Sequence, residues 1–342
     1  MDYARLVDAG PAAVDSALAG RSRGIAARTS GSTGQPREVL VSADAMRASA
    51  RATLDRLGGG GSWLLALPAD RIAGAMVIAR ARVGEGDVLA IAEGPFTAAA
   101  FAAAASRMPA GRRYVSLVPT QVRRLLASPQ GADALAGFDA VLVGGAPPGM
   151  ALPANAVETY GMTETCGGCV YDGLPLAGTG VGTEGDGRIV LAGPTLADGY
   201  ADGDDGAFVA SGGERWFRTS DLGAWDGERL TVHGRADDVI ISGGHNVHPA
   251  TVERALMALP SIADAVVVGV ADDEWGERVA ALVVPSGDDA PGADALRAAL
   301  DLPRQALPRL ILTTDHLPRT DAGKIDRSTA RAIVASAIEE AP

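Results

Sequence analysis

The sequence predicts an α/β protein: a large N-terminal α/β domain that carries a distorted β region, followed by a small α+β domain. Three observations lead there. Short apolar runs alternate with Ala-rich stretches through the first two-thirds of the 342 residues. After Gly173 the texture turns to Gly, Asp and short β runs, and near Asp237 it turns again, to alternating helix and strand. Apolar runs of strand length without polar alternation belong to strands covered on both faces, the arrangement of α/β layers. The boundary falls at residues 234–238, so one domain spans 1–235 and the other 236–342. At 47% hydrophobic and 21% charged residues, the chain has the balance of a globular protein and not of a disordered one.

Taken in order, VLVS after Arg37 reads as a strand, and Trp63–Pro68, Val88–Ala92, Tyr114–Val118 and Ala140–Val143 as buried strands. Ala98–Met108 and Pro119–Ala127 read as helices between them. RIVLAG, WFRTSDLG and ERLTVHGR form an antiparallel β region that runs to Arg235. In the last third, Pro249–Leu259 is helical, Ala265–Val270 and Arg278–Pro285 are strands, and Asp294–Leu300 is helical. A strand at Leu310–Thr314 leads into a loop ending at Lys324. No internal repeat is present, and Gly58–Gly61 is a turn too short to link domains.

Charge narrows the partners. Forty-two acidic against 30 basic residues leave a net charge of −12, the wrong sign for nucleic acid or an anionic membrane surface. A bound nucleotide must therefore be gripped by local positive groups. No apolar run reaches the ~18 residues of a membrane span, and the opening segment lacks the basic and apolar regions of an export signal. With two Cys, a reducing cytoplasmic compartment is expected. Of the 30 basic residues one is Lys, at position 324, and the others are Arg. By composition alone this skew carries no functional information.

Thr29–Arg37 reads TSGSTGQPR. Its glycines let backbone approach an anion, Thr29, Ser30, Ser32 and Thr33 supply hydroxyls, and Arg37 supplies charge, as a phosphate-cradling loop requires. It is not a Walker A loop, and alone it reads equally as a Ser/Gly/Thr turn. Four further segments follow: YGMTET at Tyr160–Thr165, preceded by the turn GGAP from Gly144; RTSDLG at Arg218–Gly223; GRADDVIISGGHNVHPATVE at Gly234–Glu253; and LPRTDAGKIDR at Leu317–Arg327. In this order they resemble the signature motifs of the acyl-adenylate-forming superfamily of acyl-CoA ligases, peptide-synthetase adenylation domains and luciferases. Within it, YGMTETCGGCVYDG and an abbreviated N-terminal region are most similar to short o-succinylbenzoate–CoA ligases of menaquinone biosynthesis. The resemblance covers about residues 25 to 330.

What the resemblance implies is a two-step acid–thiol ligase that uses ATP, Mg²⁺ and CoA, with a small-molecule carboxylic acid as substrate. Thr29, Ser30, Gly31, Ser32, Thr33 and Gly34 would hold the β- and γ-phosphates. Tyr160, Gly161, Met162 and Thr163 would line the adenine and α-phosphate, and Glu164 would ligate Mg²⁺ as a carboxylate suited to a hard cation. Asp221 would take both ribose hydroxyls and Arg235 would help grip the sugar. Gly144, Gly145 and Ala146 would form one wall of the acyl pocket. Lys324 would donate to both anions as the carboxylate attacks the α-phosphorus, a role for a compact ammonium and not a planar guanidinium. The C-terminal domain would be mobile about a hinge at Asp237, and Gly243 and Gly244 would line the pantetheine channel. Monomer and homodimer both stay open.

Departures from the motif pattern set further questions. Arg37 stands where Lys is usual, Glu38 where Gly is usual, Ser220 in place of a Gly, and Arg71 where His or an aromatic is usual. The second carboxylate of o-succinylbenzoate survives the reaction, so its pocket needs a cation or donors; Arg71 and Arg80 are the candidates, against the plain alternative of surface arginines. Cys166 and Cys169 have CxxC spacing, but a structural zinc needs four ligands, and small pocket-wall residues fit better. The Gly-rich run at Gly178–Gly187 precedes a strand and does not link strand to helix, so it fails as a dinucleotide loop. Other aryl- or acyl-CoA ligases, a carrier-protein-loading adenylation enzyme and a non-catalytic nucleotide-binding homologue are the rival readings.

Overall fold

The computed structural model describes residues 2–29, 37–146, 149–287, 291–319 and 325–339. Contacts divide the chain into two compact units. The larger comprises Met1–Pro148, Leu152–Thr219 and Trp225–Thr231; the smaller comprises Gly149–Ala151, Ser220–Ala224 and Val232–Pro342.

The larger unit is built on a seven-stranded sheet, ordered Leu174–Pro175, Gly167–Tyr171, Ala156–Met162, Ala140–Gly144, Arg113–Leu117, Ser62–Leu65, Val88–Ala90. The last five of these are mutually parallel, and the first two turn back antiparallel. Trp63, Leu64, Tyr114, Val115 and Val141 are completely buried, as runs without polar alternation require. The helices Ala43–Leu57 and Ile72–Val83 contribute Ala52, Leu54, Val77 and Ala81 to a cluster with Trp63, Tyr114 and Leu142. Ser42 caps the first of these helices, its hydroxyl accepting from the Ala45 N–H at 3.2 Å.

The order of strands fixes where polar chemistry can sit. From Ser62–Leu65 the chain steps outward to Val88–Ala90, then crosses back to Arg113–Leu117 on the other side. In open α/β sheets such a reversal marks the usual ligand position, beyond the carboxyl ends of the strands. A second sheet joins Tyr3–Arg5, Gly24–Arg28, Glu38–Ser42 and Gly199–Tyr200. The third, from Gly180 to Arg235, contains five strands and is the β region expected from the change of texture.

In the smaller unit, Ile262–Asp272 and Gly276–Pro285 form a long antiparallel hairpin, and Leu310–Thr313 pairs parallel to its second strand. The hairpin buries both faces. Ala265, Val267, Val279 and Ala281 pack with Val252, Leu256 and Leu296 of the helices Pro249–Met257 and Ala293–Ala299. Val266, Val268, Ala280 and Leu282 pack on the other side with Ala330 and Val334 of the helix Arg327–Glu339. The period of two explains how one continuous apolar run serves two cores. Arg327, at the start of its helix, is held by Glu253 (2.5 and 3.0 Å), by Asp238 at 3.2 Å and by the Val267 carbonyl at 2.9 Å.

Removing one partner of a largely buried ion pair strands the other. Arg327→Ala should therefore lower the unfolding free energy of the smaller unit by roughly 3 kcal/mol. Denaturant melts of the intact chain check this, and a change below about 0.5 kcal/mol would contradict it.

Candidate active site

At the reversal, the loops that follow Ser62–Leu65 and Arg113–Leu117 are tied together by Gln121. Its Oε1 accepts from the Val118 N–H at 3.0 Å and its Nε2 donates to the Ala66 carbonyl at 3.0 Å. One strand further along, Gly144 closes Ala140–Gly144, and Gly145 and Ala146 continue it into an exposed turn. The next strand carries Tyr160, Gly161 and Met162 at its carboxyl end. Thr163 and Glu164 form the turn beyond, 8% and 9% exposed. The expected acyl-wall and adenine segments thus lie at the ends of neighbouring parallel strands.

Local chemistry holds the turn in shape. Thr165 Oγ1 accepts from the Met162 N–H at 2.9 Å and donates to the Gly167 carbonyl at 2.8 Å. Cys166 takes a left-handed conformation (φ 57°), reversing the chain into Gly167–Tyr171. Gly161 faces that returning strand so closely that a Cβ would lie 2.1 Å from the Gly167 carbonyl oxygen. No other residue fits there without moving backbone.

Glu164 is joined to the base of the candidate phosphate loop. Its Oε1 accepts from the Tyr200 hydroxyl at 2.9 Å, and the Arg37 guanidinium lies 3.6 Å over the Tyr200 ring centroid. Arg37 in turn donates from Nε and Nη2 to Asp202 at 2.9 and 2.7 Å, and from Nη2 to the Asp204 carbonyl at 2.9 Å. Burial and the Glu164 charge raise the Tyr200 phenol above its ordinary range, so it remains a donor. The Arg37 fork holds Asp202 below the usual carboxylate range. Thr29 and Arg37 close the loop base in a reciprocal pair, Thr29 N–H to Arg37 carbonyl at 2.9 Å and Arg37 N–H to Thr29 Oγ1 at 3.0 Å. Ser30, Gly31, Ser32, Thr33 and Gly34 lie outside the described residues. Glu38, where Gly was usual, points from its strand to Arg5, accepting at 2.8 and 3.0 Å.

The two candidate counter-cations differ sharply. Arg71 is exposed, with Asp70 3.8 Å away. Arg80 is 4% exposed and packs beside Gly167 and the Trp63 ring. Its Nε is buried with no hydrogen-bond partner, and among the described residues no carboxylate pairs with it.

In the smaller unit, Asp221 lies half-buried within the strand Glu214–Trp225. Arg235 Nη2 donates to Asp237 at 3.0 Å across the turn Ala236–Asp238, so the expected ribose-gripping and hinge residues are paired. Gly243 and Gly244 are exposed and left-handed (φ 57° and 78°), and a Cβ on Gly243 would sit 2.6 Å from the Trp275 ring. Lys324 lies outside the described residues. Its flanks are fixed: Arg319 bridges to Ile325, and Asp326 caps the following helix through Thr329 (3.0 and 2.8 Å).

The described residues contain no group of three His, Cys, Asp or Glu able to enclose a metal. Glu164 alone, with Oε1 taken and Oε2 without a hydrogen bond from a described residue, fits Mg²⁺, which binds through one or two carboxylates and takes the rest of its shell from phosphates and water. Cys166 and Cys169 are both fully buried free thiols, and burial pushes each up to about 12. Protonated and shielded from solvent, such thiols are inert. Both should resist a thiol reagent in the folded chain and react on denaturation; rapid labelling of the native protein would contradict the burial.

The AMP-binding enzyme family model matches residues 28–186, and the AMP-binding enzyme C-terminal domain model matches residues 251–324. A probable 2-succinylbenzoate–CoA ligase of Mycobacterium tuberculosis is 45% identical over 314 residues, covering 88% of this chain and 82% of that protein. A 2-succinylbenzoate–CoA ligase of Listeria innocua is 30% identical over 327 residues, covering 88% and 68%. Among solved structures, the o-succinylbenzoate CoA synthetase of Bacillus subtilis in complex with its acyl-adenylate intermediate aligns with a TM-score of 0.74 at 27% identity, over 90% of this chain and 68% of that one. The ATP-bound enzyme named MatB from Rhodopseudomonas palustris, at 24% identity and a TM-score of 0.77 over 90% and 67%, shares the fold. No helix among the described residues is long and apolar enough to cross a membrane. The chain belongs to the AMP-binding, adenylate-forming enzyme family, as an AMP-forming acid–CoA ligase whose relatives include the 2-succinylbenzoate–CoA ligases.

Proposed function

We propose that this chain is an o-succinylbenzoate–CoA ligase of menaquinone biosynthesis. The observation that carries the reading is the 45% identity with a probable ligase of that kind, spread over 88% of the chain. In the first half-reaction a substrate carboxylate oxygen attacks the α-phosphorus of ATP, and the bond to pyrophosphate breaks. In the second the CoA sulfur attacks the acyl carbonyl, AMP leaves with the former carboxylate oxygen, and the thiol proton is released.

The residues divide the work. Thr29, Ser30, Gly31, Ser32, Thr33 and Gly34 hold the β- and γ-phosphates, with Arg37 fixing the loop base. Tyr160, Gly161, Met162 and Thr163 hold the adenine and α-phosphate. Glu164 holds Mg²⁺, which when bound neutralises phosphate charge. Asp221 and Arg235 grip the ribose, Gly144, Gly145 and Ala146 wall the acyl pocket, Gly243 and Gly244 line the path of CoA, and Asp237 is the hinge. Lys324 donates to the attacking carboxylate and the α-phosphate together, offsetting their repulsion in the transition state. Arg80 faces the second carboxylate. A buried guanidinium without a counter-charge is costly, and the retained carboxylate supplies one; the burial of Arg80 favours it over Arg71.

Incubation with ATP, CoA and a panel of acids, with the thioester identified by mass, tests the whole. The expected products are o-succinylbenzoyl-CoA, AMP and pyrophosphate. A thioester of another acid, transfer to a carrier protein alone, or ATP binding without acid-dependent pyrophosphate release would overturn it. Lys324→Ala should slow adenylate formation by roughly 10²–10³-fold while still converting supplied acyl-adenylate to thioester; equal loss in both steps would contradict its role. Arg80→Ala should raise the KM for o-succinylbenzoate by roughly tenfold or more. An unchanged KM in both Arg80→Ala and Arg71→Ala would remove the arginine counter-charge.

A further inference from the structure

We propose that Tyr200 is a positioning residue for the Glu164 carboxylate, and that the Arg37–Asp202 pair stacked on its ring couples that carboxylate to the base of the phosphate loop. The proposal rests on the reading of Glu164 as the Mg²⁺ ligand.

Glu164 stands on a short turn, and its side chain needs an outside group to set its rotamer. Among the described residues Tyr200 is the hydrogen-bond donor to it, at 2.9 Å. That bond occupies Oε1 and leaves Oε2 for a cation. A neutral phenol suits the task, because it orients the carboxylate without neutralising it. Partners of this kind, one shell out from a metal, set the direction of the ligating atom.

Tyr200 is itself fixed from three sides. Its N–H donates to Asp205 Oδ1 at 2.7 Å. Its two-residue strand pairs with Val39 and Leu40, immediately after the loop base. Its ring carries the Arg37 guanidinium at 3.6 Å, an attraction between a cation and the negative face of an aromatic ring.

Arg37 therefore has a different task from a free phosphate-binding cation. Its Nε and Nη2 donors are spent on Asp202 and the Asp204 carbonyl, and its backbone is paired with Thr29. A planar fork can do this in two directions at once, gripping a carboxylate in its plane and lying on a ring with its face. An ammonium can do neither as well. The substitution of Arg for the usual Lys thus matches the presence of Tyr200 beneath it and Asp202 beside it. The carboxylate that would hold the metal and the loop that would hold the phosphates share one strut.

The test measures binding apart from turnover. The Mg²⁺ concentration for half-maximal binding of a fluorescent ATP analogue is determined for the intact chain, alongside binding in EDTA. Tyr200→Phe, which removes one oxygen, should raise the half-saturating Mg²⁺ about tenfold and leave metal-free binding unchanged within about twofold. Asp202→Asn, at an exposed carboxylate, should shift Mg²⁺ dependence the same way, and the double variant should shift it by less than the product of the two. Glu164→Ala should abolish the Mg²⁺ enhancement. If Glu164→Ala keeps the wild-type Mg²⁺ dependence, the reading of Glu164 is wrong. If it loses that dependence while Tyr200→Phe and Asp202→Asn keep it, the positioning role is wrong. Shifts that multiply in the double variant would show two independent effects and overturn the coupling. Should Tyr200→Phe fail to fold, Asp202→Asn alone decides: an unchanged half-saturation overturns the proposal.

Discussion

A parallel sheet covered on both faces can present polar groups only along its edges, and the larger unit is organised by that constraint. Five parallel strands end on one edge, and the chain reverses its direction across the sheet between Ser62–Leu65 and Arg113–Leu117. The segments expected to hold adenine, α-phosphate and acyl group leave from that edge, at Gly144 and at Tyr160–Thr165. Gln121 ties the two loops at the reversal. The buried faces explain the apolar runs, and the edge explains why chemistry-bearing residues cluster directly after them.

Electrostatics places a second demand on a chain of net charge −12 that is proposed to bring polyanions together. Many of its arginines are already neutralised locally: Arg37 by Asp202, Arg235 by Asp237, Arg327 by Glu253 and Asp238. These pairs fix geometry more than they supply field. Arg80 differs, being buried with its Nε unpartnered. Lys324 differs in kind, as the one ammonium in a chain of guanidiniums. The skew from Lys to Arg, uninformative as composition, acquires meaning at both ends of the proposed reaction. Arg suffices, and even serves better, where a fork stacks on Tyr200, while a compact donor is retained at the position proposed to meet two anions.

Legibility in the sequence followed the range of the interactions. Strands such as Arg113–Leu117 and Ile262–Asp272 announce themselves through contiguous apolar residues, and the helices Pro249–Met257 and Ala293–Ala299 through their spacing. Ile72–Val83 was harder, because a helix apolar almost all round has no period to read. The candidate motifs were legible because each is local. Tyr200 was not: it sits in a two-residue strand, 36 positions from Glu164, with no local pattern to mark it. The departure at Arg37 was visible, but its partner lies 165 positions away. Arg71 and Arg80 look alike as letters, and only burial separates them. Arg327 was read as part of a motif, and its anchoring of the helix beyond Lys324 emerged from the packing.

The central claim is that the acid is activated by direct attack of its carboxylate on the α-phosphorus of ATP. Labelling both oxygens of the reacting carboxylate of o-succinylbenzoate with ¹⁸O, and measuring the mass of AMP after complete conversion with CoA, follows that bond. The account predicts AMP carrying one ¹⁸O and unlabelled pyrophosphate. Unlabelled AMP, or label in phosphate or pyrophosphate, would contradict it.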